Sequence, residues 1–216
     1  MRRVFFDLDG PIIDVSPKFY KIYSDLFGAR NQPVLSQDDY WELKRNKVPE
    51  QEIVAKTANN EFVADYLSER LQVIESIEYL RHDRLQPGIQ ELLNELAKEQ
   101  ELTLVTLRNR RENLMWELNH FNLGFYFANI LTKEDNHGDY RIKMELISGF
   151  CGSDNAQGVL IGDTEADIRA ARELGLISCG VTFGIRTEKY IRNLRPDYIA
   201  DSVVSMGEII REVVSK

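Results

Sequence analysis

The stretch that decides the fold is Val4-Phe5-Phe6-Asp7-Leu8-Asp9-Gly10-Pro11-Ile12-Ile13-Asp14. Its apolar start is typical of a short buried strand, and the Gly-Pro pair predicts a turn after it. Alternate residues of a strand point the same way, so Asp7 and Asp9 converge if the extended geometry persists. Two close carboxylates repel each other unless a proton or a cation lies between them. The stretch therefore indicates either a solvated acidic turn or a divalent-cation site, and the rest of the chain must decide.

Composition narrows the possible partners and compartment. The chain has 216 residues and a formal net charge of −8 with no basic block, so it lacks the electrostatic footprint of a nucleic-acid-binding protein. No apolar run approaches the roughly 18 residues of a membrane-spanning helix. Its two cysteines lie far apart in sequence, which fits a reducing compartment. We therefore expect a cytoplasmic monomer or homodimer that binds neither nucleic acid nor membrane.

The pattern of apolar residues changes twice along the chain. Residues 16–81 carry apolar stripes at helical spacing, including one long predicted helix over residues 62–80, and show no strong strand. Later, short apolar strands alternate with helices, which is typical of a parallel sheet with helices on both faces. We predict an α/β fold with a Rossmann-like core formed by residues 1–14 and 86–216, and an inserted α-helical domain formed by residues 15–85.

The ends of the predicted strands carry polar side chains. In parallel α/β sheets, ligands bind beyond the carboxyl ends of the strands, so residues that follow different strands meet at one edge. We expect this edge to collect carboxylates, a hydroxyl and an ammonium group. These side chains belong, in chain order, to Asp7, Asp9, Thr106, Lys143, Asp163 and Asp167. The set contains the groups needed for a nucleophile, an acid/base, metal ligands and an anion-binding cation.

With these residues the chain resembles the haloacid dehalogenase superfamily of phosphatases and phosphotransferases, over nearly its whole length. The first motif of that family, Asp-x-Asp-Gly-x-x-x-Asp, corresponds to residues 7–14, and the fourth, Gly-Asp-x-x-x-Asp, to residues 162–167. The second, a hydroxyl residue closing an apolar strand, is Thr106, and the third, a lysine before a helix, is Lys143. Four motifs in order on strand ends are a strong signal, where any one alone is weak. The helical insertion resembles the cap domain of the branch that holds phosphoglycolate phosphatases and β-phosphoglucomutases.

The resemblance implies a covalent mechanism. Asp7 would attack phosphorus and form an aspartyl-phosphate, as carboxylate nucleophiles do elsewhere. Asp9 would protonate the leaving oxygen and then deprotonate the hydrolytic water. Thr106 and Lys143 would bind the non-bridging oxygens of the phosphate.

The resemblance also implies Mg²⁺ as the cofactor. A hard cation with oxygen ligands would reduce the repulsion between a carboxylate and a phosphate dianion. Its protein ligands would be the side chains of Asp7 and Asp163 and the backbone carbonyl of Asp9. Asp167 would support the metal through water or by orienting Lys143.

Two positions depart from the family pattern. Lys143 is followed by methionine where the family often has proline, so Arg141 or Lys133 could supply the cation instead. Pro11 replaces a threonine that is common in the family's phosphatases, which removes a hydroxyl and a backbone N–H donor.

Three further cations are candidates for substrate recognition. Lys44 and Arg45 lie in the most cationic stretch of the helical insertion, where they would bind a substrate carboxylate or second phosphate, or form a solvated basic turn. Arg108 either reaches the substrate or covers the edge of the sheet. An acidic phosphomonoester such as phosphoglycolate is our first expectation, ahead of a sugar phosphate and a nucleotide.

The expected function is Mg²⁺-dependent hydrolysis of a small phosphorylated metabolite. A phosphomutase of the β-phosphoglucomutase type, with the same phosphoenzyme, is the alternative. A non-catalytic binding protein on this fold is the alternative of another class, and the intact set of Asp7, Asp9, Lys143 and Asp163 argues against it. Dehalogenation is disfavoured because the family's dehalogenases do not carry an aspartate two residues after the nucleophile.

Overall fold

The computed structural model describes residues 3–58, 60–134, 139–152 and 157–215. The helices are α1 (Ser16–Gly28), α2 (Gln37–Arg45), α3 (Glu50–Val54), α4 (Asn60–Val73), α5 (Ile77–Leu80), α6 (Ile89–Leu96), α7 (Arg111–His120), α8 (Tyr140–Cys151), α9 (Glu165–Leu174), α10 (Glu188–Leu194) and α11 (Val203–Val214). The strands are β1 (Arg3–Phe6), β2 (Ile13–Asp14), β3 (Arg84–Leu85), β4 (Leu102–Val105), β5 (Phe127–Leu131), β6 (Gly158–Gly162), β7 (Ile177–Val181) and β8 (Tyr198–Ala200). Within the described ranges, no helix is long and apolar enough to cross a membrane.

The main sheet is parallel and has six strands in the order β5-β4-β1-β6-β7-β8. Strand β1 lies in the middle, with Phe5 opposite Thr103 on β4 and opposite Leu160 on β6. Its apolar side chains are completely buried, as expected for a central strand of a sheet covered on both faces. The predicted α/β fold with a parallel sheet is confirmed.

The chain forms two compact units. One comprises Met1–Asp14 and Leu85–Lys216 and contains the sheet; the other is Val15–Arg84 and contains α1 to α5. In the first unit, Phe5 packs with Ile147 of α8 and Ala170 of α9, so these two helices cover the face of the sheet to which Phe5 points. Two short strands, β2 and β3, pair with each other where the chain leaves this unit and returns to it.

The core of the helical unit is aromatic. Tyr23 of α1 stacks on Tyr40 of α2 with ring centroids 4.6 Å apart, and Phe27 meets Phe62 edge-on. The apolar stripes from which these helices were predicted therefore pack against one another. The single helix expected over residues 62–80 is wrong: α4 ends at Val73 and α5 begins after Ser76, whose backbone is extended. The extended backbone of Ser76 interrupts the helical path, and its side chain makes no capping hydrogen bond to α5.

Strands β2 and β3 and helix α10 are among the short elements that were not expected from the sequence. Strands β2 and β3 have two residues each, which is too short for a periodic pattern. Helix α10 buries only Ile191 among its residues, so its sequence shows no apolar stripe. Its start is defined by an N-cap, in which the Thr187 side chain accepts a hydrogen bond from the Tyr190 N–H.

Candidate active site

Neighbouring strands bring three carboxylates together. Asp7 follows β1, and its N–H donates to the carbonyl of Ile161 on β6, at a distance of 2.8 Å, so it lies next to Asp163 at the end of that strand. Asp167 lies in the first turn of α9, directly after. One carboxylate oxygen from each of these aspartates lies within 4.8 Å of the others, and all three residues are buried. The strand ends thus meet at one edge of the sheet, as predicted.

Lys143 supplies a buried positive charge to this cluster. Its Nζ lies 2.8 Å from Oδ1 of Asp7 and donates to Oδ1 of Asp167, and the residue is 1% exposed. The two other cations that the sequence allowed at this site have different partners. Arg141 is exposed and pairs with Asp139, and Lys133 is half-exposed and pairs with Glu145. The geometry therefore favours Lys143 over Arg141 and Lys133 as the cation of the site.

Each carboxylate oxygen of Asp167 makes a contact that fixes its position. Its Oδ2 accepts hydrogen bonds from the N–H of Thr164, at 3.0 Å, and from the Thr164 hydroxyl, at 2.7 Å. This capping box fixes the carboxylate at the start of α9. Its other oxygen holds Lys143, which is the orienting contact that the sequence allowed for Asp167.

Asp163 lies in a slot made by two glycines. A Cβ on Gly10 or on Gly184 would lie 2.1 Å from Oδ2 of Asp163, so neither position has room for a side chain. Gly10 also has φ +102°, which other residues rarely adopt. The N–H of Ile185 donates to Oδ2, whereas Oδ1 is buried and has no hydrogen-bond partner among the described residues. A buried acceptor in that state is costly, so Oδ1 fits a ligand atom for a cation.

Burial dominates the electrostatics of the cluster. It raises the pKa of Asp7 to about 7, against the opposing effect of Lys143 and with help from Asp167 and Asp9. Burial and the neighbouring Asp167 and Asp7 raise the pKa of Asp163 well above its usual range. Burial alone would lower the pKa of Lys143, but Asp167 and Asp7 raise it overall. Two buried carboxylates that resist ionisation fit a site completed by a divalent cation, whose charge would lower both pKa values.

Asp9 faces a different partner from Asp7. Its Oδ2 accepts from Nε of Arg108 at 2.9 Å, and its Oδ1 accepts from Nη2 at 2.7 Å, which makes a two-point carboxylate–guanidinium pair. Arg108 is 5% exposed. The side chain of Asp9 influences Asp7 electrostatically, but it pairs with Arg108 rather than joining the three-carboxylate group.

Thr106 follows β4 and is buried beside Arg108. Its N–H donates to the carbonyl of Leu131, at 3.0 Å, which continues the pairing of β4 with β5. Its Oγ1 accepts from the Arg108 N–H at 3.3 Å. Thr106 and Arg108 therefore belong to one loop at the same edge of the sheet.

Two contributions to this region were missed from the sequence. The first is Glu117 on α7, whose Oε2 lies 3.3 Å from Nη2 of Arg108. The signal was present: Glu117 shares the inward face of the helix with Leu114 and Leu118, where an apolar residue is expected. The second is the Gly184-Ile185 segment against Asp163, for which the only signal was its position after strand β7.

The two remaining predicted substrate-binding residues lie in the helical unit. Nζ of Lys44 lies 2.6 Å from Oε2 of Glu50 and 5.4 Å from the ring centroid of Phe19. Arg45 is the last residue of α2. Lys44 thus has a structural partner within its own unit, and the role of Lys44 and Arg45 in substrate binding stays a prediction.

Comparison with known proteins decides the family. The model of the haloacid dehalogenase-like hydrolases matches residues 4–181, which span Asp7, Thr106, Lys143 and Asp163. The chain belongs to this family. The predicted family is confirmed, and so is the prediction that the protein is an enzyme of the hydrolase class.

Individual proteins also align over nearly the whole chain. A phosphoglycolate phosphatase of Agrobacterium fabrum is 29% identical over 98% of this chain and 93% of its own length. A pyrophosphatase, PpaX, of Halalkalibacterium halodurans is 22% identical over 97% of both chains. The structure of a haloacid dehalogenase-like hydrolase from Streptococcus pneumoniae superimposes with a TM-score of 0.80 at 20% identity, over 97% of this chain and 98% of the other. That likeness supports the fold.

Proposed function

We propose that this hydrolase is a Mg²⁺-dependent phosphatase that acts on a small phosphorylated metabolite through an aspartyl-phosphate intermediate. The observation that carries the proposal is the buried cluster of Asp7, Asp163 and Asp167, with oxygens within 4.8 Å of one another and Lys143 in contact. A nucleophile, an oxygen-rich cation site and a fixed ammonium group are the parts that phosphoryl transfer requires. The relatives named as phosphatases support the same reaction class.

Each residue has a defined task in this proposal. A carboxylate oxygen of Asp7 forms a bond to phosphorus while the bond from phosphorus to the ester oxygen breaks. Asp9 gives a proton to the departing oxygen and then takes one from the water that attacks the aspartyl-phosphate. Lys143 and Thr106 hold the non-bridging oxygens, where negative charge builds up.

The donor set fits Mg²⁺, which prefers oxygen ligands and keeps several waters. Asp7 and Asp163 would hold it with their side chains and Asp9 with its backbone carbonyl, while Asp167 orients Lys143. The Oδ1 atom of Asp163, buried without a hydrogen-bond partner among the described residues, is suited to this task. When bound, Mg²⁺ would offset the repulsion between the Asp7 carboxylate and an incoming phosphate.

For the substrate, we propose a phosphoglycolate-like acidic phosphomonoester first. A relative named phosphoglycolate phosphatase aligns over nearly the whole chain, which supports this choice. The helical unit, Val15–Arg84, would act as the substrate-selecting cap, with Lys44 and Arg45 as its candidate cations and Arg108 as that of the core. We further propose a cytoplasmic location and a monomeric or homodimeric state, which fractionation and light scattering would test.

The test is release of inorganic phosphate from p-nitrophenyl phosphate and from a panel of phosphorylated metabolites. We expect activity with Mg²⁺, none with a chelator, and recovery when Mg²⁺ is restored. Within the panel, 2-phosphoglycolate should give the highest kcat/KM, ahead of sugar phosphates, nucleoside monophosphates and pyrophosphate. Stimulation of turnover by an added sugar bisphosphate would indicate a phosphomutase instead. No phosphate release from any ester with Mg²⁺ present would overturn the proposal.

A further inference from the structure

The pair between Asp9 and Arg108 continues inward to a second carboxylate. Nη2 of Arg108 lies 2.7 Å from Oδ1 of Asp9 and 3.3 Å from Oε2 of Glu117. The exposed fraction of the side chain falls along this series, from 23% for Asp9 to 6% for Arg108 and 0% for Glu117. One guanidinium is therefore shared by two carboxylates, and the outer one is the proposed acid/base.

The position of Glu117 needs a physical reason. A carboxylate without exposure is costly to bury unless a positive charge accompanies it. Leu114 and Leu118 flank Glu117 on the same face of α7 and are buried as well. An apolar side chain would pack there without the cost of burying a charge. The ion-pair contact with Arg108 offsets part of the cost of burying the carboxylate.

The contact between Asp9 and Arg108 also constrains the proposed chemistry. Both oxygens of Asp9 accept hydrogen bonds from the guanidinium, so Arg108 orients this carboxylate and competes with a leaving oxygen for it. Phosphate is an anion that arginine binds at two points. An incoming phosphomonoester therefore offers the guanidinium a replacement for Asp9, while Glu117 keeps the guanidinium in place from the inner side.

We propose that Glu117 is a positioning residue that, through Arg108, couples the binding of phosphate to the release of Asp9 for proton transfer. The proposal rests on the phosphatase function proposed above. The negative charge of Glu117 weakens the attraction of Arg108 for anions, and it does so more for a doubly charged phosphate than for the singly charged Asp9. Without that charge, Arg108 holds Asp9 more tightly, which slows turnover, and it holds inorganic phosphate more tightly, which slows its departure.

The first test is Glu117→Gln, which keeps the size of the side chain and an oxygen for Arg108 but removes the charge. With p-nitrophenyl phosphate and Mg²⁺, we expect kcat to fall about ten-fold and the inhibition constant of inorganic phosphate to fall roughly three- to ten-fold. Glu117→Asp keeps the charge and should move both constants back toward the wild type. Glu112→Gln removes a charge from an exposed position on the same helix and should change neither.

A structural role alone predicts a different result, namely a lower melting temperature for Glu117→Gln with kcat and the phosphate inhibition constant unchanged. That result, obtained with an active wild type, would overturn the coupling and leave the phosphatase function standing.

In an Arg108→Gln background, Glu117→Gln should no longer change phosphate inhibition. A change of the same size in both backgrounds would also overturn the proposal.

A measurement on the wild-type protein covers the case in which Glu117→Gln does not fold. The Nε–H resonance of Arg108, assigned with Arg108→Lys, reports the partner of the guanidinium. We expect it to shift when inorganic phosphate is added with Mg²⁺, because phosphate replaces Asp9. An unchanged resonance at saturating phosphate would contradict the exchange.

Discussion

The position of Asp163 depends on two glycines, whose lack of a side chain leaves room for its carboxylate. Its carboxylate fits between Gly10 and Gly184, where a Cβ would come within 2.1 Å of Oδ2. Gly10 stands next to the aspartates of the first motif, but Gly184 is distant in sequence and belongs to the loop after β7. The orientation of a proposed metal ligand is therefore set from two sides by backbone, with the Ile185 N–H as its donor.

This packing predicts that Gly184→Ala displaces Asp163. We expect the Mg²⁺ affinity, measured by titrating activity with Mg²⁺, to fall about 10- to 100-fold, as for other losses of groups that orient a metal ligand. Gly149→Ala is the matched control, because Gly149 lies in α8 with no atom within 4 Å of the added Cβ. Equal Mg²⁺ affinity in the two variants would show that Asp163 does not depend on the slot.

Most of the residues that could be predicted from the sequence follow strands, whereas Lys143 and Asp167, which lie in the first turns of α8 and α9, were found through the family's motifs. Asp7, Thr106 and Asp163 are recognisable because a strand end fixes their place in the sheet, whatever the side chains around them do. Glu117 and Gly184 were not predicted, since their contribution depends on one tertiary contact each, with Arg108 and Asp163. Local patterns carry no information about which distant residue a side chain will meet.

At the scale of elements, the helical unit contains a partly buried ion cluster. Glu50, at the start of α3, accepts hydrogen bonds from the hydroxyls of Tyr40, at 3.1 Å, and Tyr66, at 2.7 Å, and from Nζ of Lys44, at 2.6 Å. Nε of Arg70 on α4 lies 3.6 Å away. The Glu50 carboxylate of the short helix α3 therefore links α2 and α4. Lys44, which the sequence offered as a substrate contact, takes part in this packing of α2, α3 and α4.

Glu50→Gln should destabilise the protein by about 2 kcal/mol, because it leaves partly buried cations without their counter-charge. The midpoint of urea unfolding at pH 7 measures this loss. Glu52→Gln, an exposed change in the same helix, is the control and should leave the midpoint within error. If both variants unfold at the wild-type midpoint, the cluster contributes nothing to stability.

The effect of Glu50 should also depend on pH. Burial alone would raise its pKa, but Arg70 and Lys44 lower it from 4.5 to about 2. Between these values the folded protein binds fewer protons than the unfolded chain, so the stabilisation is complete above pH 4.5 and is lost as the pH falls toward 2. The difference in urea midpoint between the wild type and Glu50→Gln should therefore shrink over this window. A constant difference would contradict the ion-pair explanation.

The elements themselves were predictable to different degrees. Strand β1 and its neighbours in the main sheet were evident because a buried parallel strand is apolar on both faces. The break between α4 and α5 was missed because apolar residues continue through it, and the extended backbone at Ser76 carries no capping hydrogen bond that would mark it. Helix α10 was missed because it presents too little apolar surface to form a stripe. Periodicity thus identifies elements that bury a face and misses those defined by their caps.

At the scale of the molecule, the proposed metal site links stability to pH. Burial raises the pKa of Asp7 from 3.8 to about 7. Without metal, the folded protein keeps this proton at pH values where the unfolded chain has lost it, so the contribution of Asp7 to stability falls as the pH rises from 3.8 to about 7. Binding of a cation requires the ionised carboxylate, so protons and Mg²⁺ compete for the site.

Mg²⁺ should therefore raise the melting temperature more at pH 8 than at pH 5.5, relative to NaCl of the same ionic strength. Differential scanning fluorimetry after treatment with a chelator measures both shifts. Asp163→Asn should abolish the shift at both pH values, because it removes a proposed ligand. A shift of equal size at the two pH values would contradict competition between protons and the metal.

Asp7 is the proposed nucleophile of a Mg²⁺-dependent phosphatase, and one measurement tests this role most directly. Phosphate release from p-nitrophenyl phosphate with Mg²⁺ is compared between the wild type, Asp7→Asn and Asp38→Asn, an exposed aspartate in α2 that receives the same chemical change. We predict that Asp38→Asn matches the wild type and that folded Asp7→Asn loses at least about a thousand-fold in kcat. Undiminished phosphate release by Asp7→Asn would contradict the account.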